Sequence, residues 1–572
     1  MLPLLEYELV RPFRRRGIDR RTFVRSAAAG ALGAAIWSPQ VEALAPATTL
    51  YNGIRLSEPW PPDRHTLAPR PIAPPYLVDP PEVIPIDVGR QLFVDDFLIE
   101  ESSLERTFHR ATYHPRNPIL YPTTAWEKRD EYADRTKTRS NPAAMVFSDG
   151  VFYDPQSRLF KMWYMGGYSQ NTCYAFSHDG LTWEKPALDV VKGTNITLSL
   201  HRDSSTVWLD LAEPDPDSRY KLALWYNKSL LLYTSPDGIH WRERGGSGQA
   251  GDRTTFFRNP FRNVWVFSVR DEVRGVGRFR RYFETPDFAA GAQWRVNQPV
   301  WWTGADRDDP RRPESNTSPE LYNLDCVAYE SLVLGLFTIF RGERPDREKP
   351  NDVCVGYSRD GFHWSRPDRQ AFLSVSEHVG DWNWANVQSA GGCCLVVGDE
   401  LYFYVSGRRG VPGSSDPGIC STGLATLRRD GFASMDHPAS GRGVERLKPG
   451  PAPGTLITRP LRFSGRHLFV NLDAPDGELR VAVLDREGRV IAPFDERACV
   501  PVSGNSTRAR VTWAAADHLQ SLAGRDVRFR FHLTRGRLYA FWVSPTPEGA
   551  SRGYVAAGGP GFSSAIDTGG SG

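Results

Sequence analysis

A seven-residue phrase, Ser-x-Asp-Gly-x-x-Trp, recurs along this chain, and each complete copy follows an apolar run. The complete copies occupy residues 177–183, 235–241 and 358–364, and weaker copies occupy 285–288 and 428–432. In each copy we expect a strand to end in a tight turn, where Asp bonds its own backbone and Gly takes a positive φ. The Trp then begins the next strand or packs beneath the turn.

The spacing of these turns limits the fold more strongly than any single copy does. The five Asp positions lie 50 to 73 residues apart, which is room for a four-stranded antiparallel sheet with its loops. Repetition at this period, with strands and not helices between the copies, is typical of a β-propeller. The sequence therefore predicts an all-β fold, with a five-bladed β-propeller over residues 87–447.

Composition changes on both sides of the repeats, as expected for a chain of 572 residues with more than one domain. The Pro-rich segment 48–86 is typical of an extended strap over the surface. After a Pro/Gly linker at 448–454, apolar and polar residues alternate through 455–547, which predicts a C-terminal β-sandwich. The Gly/Ser-rich tail 548–572 is expected to be disordered.

The first 47 residues have the pattern of a targeting segment. Residues 19–25 closely match the twin-arginine export signal, and a weakly apolar Ala/Gly segment too short to span a bilayer follows. Small residues near Ala47 complete the pattern with a cleavage site. We therefore predict a signal peptide over 1–47 and export of the folded protein to the periplasm or beyond. A basic disordered tail is the alternative.

Charge and aromatic content narrow the class of partner. Seventy basic residues against 67 acidic ones leave a net charge of +3, which gives no argument for a nucleic-acid or membrane partner. The 17 Trp and 21 Tyr are typical of proteins that stack on flat apolar faces, sugars included, although β-structure also selects these residues. A carbohydrate is the expected partner, and the oligomeric state stays open.

In a propeller the innermost strands line a central funnel, so residues beside the beginnings of these strands converge from distant parts of the chain. Acidic residues accompany three such strands, in the groups Asp252 with Arg253, Asp325 with Glu330, and Asp381 with Asn386. Carboxyl groups gathered there can divide into an acid and a base or nucleophile. Hydrolysis of a glycosidic bond requires such a pair.

Each of these residues also has a structural explanation. Asp252 can simply pair with its neighbour, whereas Asp325 lies in an apolar strand, where an unpaired charge is costly to bury. Glu330 is five residues from Asp325 and should face the opposite side unless the strand bulges or ends. Asp271 either holds substrate or lies in a solvated turn, and Trp382 is either a sugar platform or a core residue.

The seven cysteines form an odd set without metal-ligand spacing, and most lie in apolar runs. We predict no zinc site, no essential disulfide framework and no cofactor. A Ca²⁺ ion in the funnel stays open, although no contiguous calcium-loop pattern supports one.

The repeated phrase, the Phe-Lys-Met-Trp-Tyr strand at 160–164 and the trailing sandwich resemble the five-bladed glycoside hydrolases of families 32, 43 and 68. The likeness covers about residues 87 to 545 and is closest to bacterial family-32-like exported proteins of unassigned specificity. It implies an Asp nucleophile or base, a second Asp that stabilises the transition state and a Glu acid at inner-strand starts.

This chain departs from those families at the motifs that carry the chemistry. Blade one has Ser-Asn-Pro at 140–142 in place of the Asn-Asp-Pro-Asn-Gly type motif, Arg270-Asp271 lacks the following Pro, and no Glu-Cys motif occurs. No individual catalytic role is therefore carried over from the resemblance.

Together these features predict an exported glycoside hydrolase that cleaves a poly- or oligosaccharide. The expected catalytic residues are Asp325 and Asp252, as the carboxyl groups nearest the scissile bond, and Glu330, as the candidate general acid. The expected substrate-binding residues are Arg253, Asp271, Trp382 and Asn386. A non-catalytic carbohydrate-binding propeller and a polysaccharide lyase are the alternatives. The sugar, the linkage and the stereochemical course are not encoded in these motifs.

Overall fold

The computed structural model describes residues 48–128, 141–315, 317–342, 346–438 and 452–569. The predicted signal peptide 1–47 and most of the predicted linker 448–454 lie outside the described residues. Helix is confined in these ranges to α1 (Pro75–Val78), α2 (Ala125–Lys128) and 3₁₀ turns at Pro216–Ser218, Ala290–Ala292 and Gln520–Leu522. Among the described residues, no helix has the length and apolar character needed to cross a membrane.

Short strands precede the repeats: β1 (Ile84–Pro85), β2 (Gln91–Leu92), β3 (Ile99–Ser102), β4 (Glu105–Phe108) and β5 (Thr112–Tyr113). The first three blades contain β6 (Ala144–Asp154), β7 (Leu159–Gly166), β8 (Asn171–Ser177), β9 (Ile196–Leu198), β10 (Ser205–Leu209), β11 (Tyr220–Tyr226), β12 (Ser229–Ser235), β13 (Arg242–Gly246), β14 (Thr255–Asn259), β15 (Val264–Val273), β16 (Gly277–Thr285) and β17 (Val300–Gly304). The fourth and fifth blades contain β18 (Glu320–Glu330), β19 (Leu332–Phe340), β20 (Asp352–Ser358), β21 (Asn386–Ser389), β22 (Leu395–Val397), β23 (Glu400–Arg408) and β24 (Cys420–Arg428). The remaining strands are β25 (Ala433–Asp436), β26 (Gly454–Thr458), β27 (Leu461–Arg462), β28 (His467–Leu484), β29 (Val502–Val511), β30 (Arg528–Thr534), β31 (Arg537–Ser544) and β32 (Tyr554–Val555).

The five blades close into a ring around their innermost strands. The inner strands β6, β10, β14, β18 and β21 each contact the next one, and β21 contacts β6 again. Blade five takes its outermost strand from β5, where Thr112 and Tyr113 pair with Thr426 and Ala425. The chain ahead of blade one therefore locks the ring, and the predicted five-bladed β-propeller is confirmed.

The recurring turn has the geometry that its residues predict. Ser177 Oγ accepts a hydrogen bond from the backbone N of Gly180 at 2.9 Å, and Gly180 has φ +74°. Asp179 Oδ1 accepts from the backbone N of Leu181 at 2.8 Å and of Thr182 at 2.7 Å. The second and third complete copies form the same bonds. In every blade the phrase lies where the third strand ends.

The turns also join neighbouring blades. Trp163 of blade one donates its indole N–H to the carbonyl oxygen of Gly238 in the turn of blade two, at 2.6 Å. Tyr404 of blade five donates to the carbonyl oxygen of Gly180 in the turn of blade one, at 2.7 Å. Each of these turns thus fastens one blade to the blade before it in the ring.

The C-terminal sheet is the predicted β-sandwich, and it takes more of the chain than 455–547. The long strand β28 pairs with β30 along its second half and with β29 and β31 along its first half. The strands β2, β3, β4 and β25, which flank the propeller, join the same sheet. The domain therefore assembles from segments on both sides of the propeller.

The strap 48–86 packs on the protein surface through apolar side chains that it buries. Leu50 and Ile54 are buried, and Asn52 donates to the carbonyl oxygen of Arg359 at 2.9 Å. Strand β1, at the end of the strap, pairs in parallel with β27 of the sandwich. The strap thus bridges both parts of the molecule.

The expectation of a disordered tail is wrong for residues 548–569. Strand β32 pairs with the end of β18, and Ala557 donates to the carbonyl oxygen of Cys394 at 3.0 Å. A Cβ at Gly559 would lie 1.7 Å from the Val396 carbonyl oxygen. The small residues that resemble a disordered composition are therefore required for close backbone contact with the propeller.

We expect Gly238→Ala to destabilise the protein by about 2 kcal/mol more than Gly193→Ala does. Both glycines have positive φ, near +80°, but a Cβ at Gly238 would lie 2.4 Å from the Trp163 ring, whereas one at Gly193 meets nothing within 4 Å. The pair therefore separates the packing clash from backbone strain. Chemical denaturation measures both, and equal losses would show that the turn does not fasten the blades.

Candidate functional site

The centre of the ring holds one carboxyl group that three blades contact. Asp325, in β18, is 2% exposed, and its Oδ2 accepts from Ser389 Oγ at 2.6 Å and Asn323 Nδ2 at 2.7 Å. Ser148 Oγ of blade one lies 3.3 Å from the same oxygen, while Oδ1 is buried without a partner among the described residues. Burial raises the pKa of Asp325, against the effect of these hydrogen bonds and of Arg253.

A bulge in the inner strand of blade one directs Ser148 toward this carboxyl group. The pairing of β6 with β7 shifts register between Met145 and Gly150, and Ser148 has φ +63°. Such bulges re-aim a side chain at the cost of local pairing. The hydroxyl of Ser148 also accepts from Asn323 Nδ2 at 3.0 Å and from Arg253 Nη2 at 3.1 Å, so it links blades one, three and four.

The predicted binding residue Arg253 is part of this cluster. It precedes β14, is 2% exposed, and its guanidinium carbon lies 3.6 Å from the centroid of the Phe147 ring. Its backbone N–H donates to Ser204 Oγ of blade two at 2.9 Å. Burial lowers the pKa of Arg253, and its Nε has no partner among the described residues.

Asp252 lies at the rim of the same cluster, where its side chain is 40% exposed. Arg270 Nη1 lies 3.2 Å from Asp252 Oδ1 and holds the carboxylate at the start of blade three. Of the predicted catalytic residues, Asp252 and Asp325 are thus gathered at one end of the ring, with Arg253 between blades.

The sequence analysis missed Asp203, which occupies in blade two the position of Asp252 in blade three. Burial raises the pKa of Asp203, and the negative charge of Asp252 raises it further. Its Oδ1 is buried without a partner among the described residues. The spacing carried a signal. Asp203 stands seven residues before Asp210, and Asp252 stands seven residues before Asn259; Asp210 and Asn259 both lie where the inner strand turns toward the second strand of its blade.

A second ion pair lies on the blade-five side of the cluster. Arg408 Nη1 donates to Glu348 Oε1 at 2.8 Å, and its guanidinium carbon lies 5.3 Å from the Phe147 ring centroid. Both side chains are buried, and Glu348 Oε2 has no partner among the described residues. Arg408 also acts to lower the pKa of Asp203, so the pair belongs to the electrostatics of the same site.

The structure does not bring Glu330 to this cluster. Glu330 is at the far end of β18, five residues from Asp325, which is about 16 Å along an extended strand. There Ser551 Oγ donates to its Oε2 at 2.7 Å, and Arg429 Nη2 lies 3.1 Å from its Oε1. Because the strand does not fold back, Glu330 joins the tail to the propeller and is not part of the funnel.

Asp271 points away from Asp252. Strand residues alternate between faces, so Arg270 extends toward Asp252 while Asp271 Oδ2 accepts from Arg281 Nε at 2.6 Å on the other face of the hairpin. The predicted role of Asp271 in holding substrate beside Asp252 is therefore not supported by its position, and Arg270 is the residue that lies beside Asp252.

Trp382 is a packing residue of blade five. A Cβ at Gly407 or at Gly423 would each lie 2.2 Å from its indole ring, and Tyr113 meets the ring edge-on at 5.7 Å between centroids. The ring is pressed against a glycine-lined sheet, and its predicted use as a sugar platform is not supported.

Asn386 is completely buried at the start of β21. Its Nδ2 donates to the carbonyl oxygen of Lys349 at 2.7 Å, and its Oδ1 accepts from Gln388 Nε2 at 2.7 Å. It holds the backbone next to Glu348 and contributes to the site by positioning, without an open donor of its own.

Within the described ranges, no three His, Cys, Asp or Glu side chains form a group that could hold a metal ion. All seven cysteines are buried free thiols. The predictions about Ca²⁺ and cofactors stay predictions.

No family model and no curated protein matches this chain. Among solved structures, it matches β-fructofuranosidase from Schwanniomyces occidentalis complexed with fructosyl-erythritol at 11% identity and TM-score 0.34, over 77% of this chain and 99% of that one. A thermostable family-43 glycoside hydrolase matches at 12% identity and TM-score 0.37, over 55% and 98%. A Bombyx mori GH32 β-fructofuranosidase variant with sucrose matches at 12% and 0.32, over 77% and 95%.

These matches are to the kind of protein that the repeated phrase resembles. Because the TM-scores are below 0.5, the assignment of a five-bladed ring rests on the strand pairing of this chain alone.

The raised pKa of Asp325 predicts a specific pH dependence of stability. A carboxyl group whose pKa is higher in the folded than in the unfolded state binds more protons when folded, so its contribution to stability falls as the pH rises above the ordinary value of 3.8. Asp325→Asn should remove this slope. The difference in unfolding free energy between wild type and variant, measured from pH 4 to 8, should move in favour of the variant as the pH rises from 4 and level off above the folded-state pKa of Asp325; a constant difference would contradict the assignment.

Proposed function

We propose that this protein is a glycoside hydrolase whose reacting carboxyl groups are Asp203 and Asp252. The observation that carries the proposal is their equivalent placement at the starts of adjacent inner strands, with Asp252 raising the pKa of Asp203. Two carboxyl groups whose surroundings differ in this way are suited to act as acid and base.

The different environments of Asp203 and Asp252 assign their catalytic roles. Asp203 is partly buried and carries the raised pKa, which favours its protonated form and suits a general acid that protonates the glycosidic oxygen. Asp252 is more exposed, with Arg270 Nη1 3.2 Å from its Oδ1, and an accessible carboxyl group held by a guanidinium suits a base or nucleophile. The general-acid role expected for Glu330 thus passes to Asp203.

Asp325 lies beneath this pair and acts through its neighbours. Its hydrogen bonds with Ser148 and Asn323, together with the contact of Ser148 with Arg253, fix the floor of the site across three blades. A fully buried carboxyl group with this many bonds is a positioning residue, because a sugar would have to displace its partners to reach it.

Replacing Asp203 or Asp252 by Asn should lower kcat by about 10²-fold to 10⁴-fold on a cleaved glycan, with the fold retained. Asp271→Asn is the matched control, since this carboxyl group lies close in the chain but faces away, and it should change kcat less than a few fold. The measurement is reducing-sugar release over a glycan panel, with circular dichroism to check folding.

Three outcomes distinguish the alternatives. Full activity in Asp203→Asn and Asp252→Asn would refute the assignment. A glycan that the wild type binds without cleaving would identify a carbohydrate-binding propeller. Unsaturated products that absorb in the ultraviolet would identify a polysaccharide lyase.

We also propose export by the twin-arginine pathway, on the basis of the Arg20-Arg21 pair and the apolar segment that follows. Replacing both arginines by Lys should keep a fused reporter inside the cell, whereas the native pair should export it. Export of both forms would contradict the proposal.

A further inference from the structure

Two arginines face each other across the hairpin that rises beside Asp252. Arg270 of β15 and Arg280 of β16 are direct partners in the antiparallel register, so their side chains share one face. Like charges in directly opposed positions destabilise a sheet. A third guanidinium, that of Arg253, is close enough to act on Arg280 electrostatically. Such a cluster persists only where negative charge offsets it.

Carboxylates contact Arg270 directly, whereas Asp252 and Asp325 act on Arg280 only from beyond salt-bridge distance. Arg270 has carboxylate partners in Asp252 at 3.2 Å and Glu272 at 2.6 Å. Arg280 is wholly buried, donates from Nη2 to the carbonyl oxygen of Tyr322, and has no carboxylate within salt-bridge distance in the described ranges. Its charge is therefore uncompensated by direct contact, which is rare for a buried arginine.

The same guanidinium groups carry unused donors. Arg280 Nε and Nη1 and Arg253 Nε are buried without hydrogen-bond partners among the described residues. Buried donors of charged groups are normally satisfied. Burial lowers the pKa of Arg280, and the positive charges of Arg270 and Arg253 lower it further, to about 9. Arg280 therefore still carries its charge at neutral pH. Two buried cations close enough to Arg270 to interact electrostatically thus hold three donor atoms without partners among the described residues.

We propose that this arginine cluster, Arg253, Arg270 and Arg280, binds an anionic group of the substrate, with Arg270 making the contact and the buried Arg253 and Arg280 adding positive charge behind it, so that the funnel takes a glycan bearing a uronate carboxylate or a sulfate ester. Arginine suits both groups, because its planar fork donates two parallel N–H bonds to carboxylate or sulfate-type oxygens. The inference rests on the proposed hydrolase function and names the class of its substrate.

Position in the funnel supports this assignment. Arg270 is 19% exposed and touches Asp252, so it presents the cluster to an incoming ligand at the place where the proposed base lies. An anionic group that engages Arg270 would share it with Asp252, and the sugar ring would lie against the carboxyl pair. The arginine cluster would therefore set the orientation of the sugar ring as well as select a negatively charged sugar.

The test measures binding, which does not depend on cleavage. We would measure dissociation constants by isothermal titration calorimetry for three sugars: trigalacturonate, its carboxyl-reduced neutral counterpart and a sulfated trisaccharide. Each sugar would be titrated into wild type, Arg280→Gln and Arg281→Gln. Arg281 is the matched control, because it is the next residue of β16 and pairs with Asp271 on the opposite face. We expect wild type and Arg281→Gln to bind a charged sugar at least tenfold more tightly than the neutral one.

In Arg280→Gln this preference should fall to less than threefold, and the affinity of the wild type for the charged sugar should fall as salt is added. Preference for trigalacturonate alone would identify the carboxylate, and preference for the sulfated sugar alone the sulfate ester. Circular dichroism and thermal unfolding verify that Arg280→Gln folds. If it does not, Arg270→Gln, at the more exposed member of the cluster, takes its place.

Two results would overturn the inference. The first is equal binding of charged and neutral sugars by the wild type, or binding of neither charged sugar. The second is an unchanged preference in Arg280→Gln. Either result leaves the hydrolase proposal standing if a neutral glycan is cleaved with dependence on Asp203 and Asp252, so the two proposals fail separately.

Discussion

The Ser-x-Asp-Gly turn that ends the third strand of blades one, two and four is the contact on which the ring depends. The Ser and Asp side chains satisfy the backbone of the turn, and an aromatic residue of the preceding blade donates into it, as Trp163 does to Gly238. A blade cannot shift against its neighbour without breaking this bond and exposing the buried ring. Closure by β5 at blade five then links these contacts around the ring.

The same turn explains why the fold could be predicted and the site only in part. The third strand of a blade runs parallel to the first, so turns after third strands lie at the opposite end of the ring from the starts of the inner strands. The repeated phrase therefore determines the architecture and lies far from the funnel. Asp252 and Asp325 were predictable because a charged residue beside a strand of apolar residues is conspicuous, whereas Asp203 lies among Ser and Thr and is marked only by its seven-residue spacing from Asp210.

The other differences come from contacts that no local pattern encodes. Glu330 is buried only because Arg429 and the tail residue Ser551, each about one hundred residues or more away, meet it. Trp382 packs in blade five because Gly407 and Gly423, on neighbouring strands, leave a flat surface for its ring. In both cases the sequence contains the partners, but strand register and domain assembly decide whether they meet.

The fifth copy of the phrase shows that the two ends of the ring differ: one end is joined to the sandwich and the tail, and the other end carries the candidate site. Asp430 does not close its turn as Asp179 does; its Oδ2 accepts from Arg90 Nη1 at 2.8 Å and from Asn471 Nδ2 at 3.0 Å of the sandwich. With Glu330 and the tail, this end of the propeller is occupied by paired charges. At the funnel end, Asp203, Asp325 and Arg280 keep buried polar atoms without partners among the described residues, and at the other end Arg90 Nε and Arg429 Nε do the same. Unpaired groups of this kind oppose folding. At the sandwich end the ion pairs of Arg90 with Asp430 and of Arg429 with Glu330 offset that cost, whereas Arg280 at the funnel end has no such pair within the described ranges.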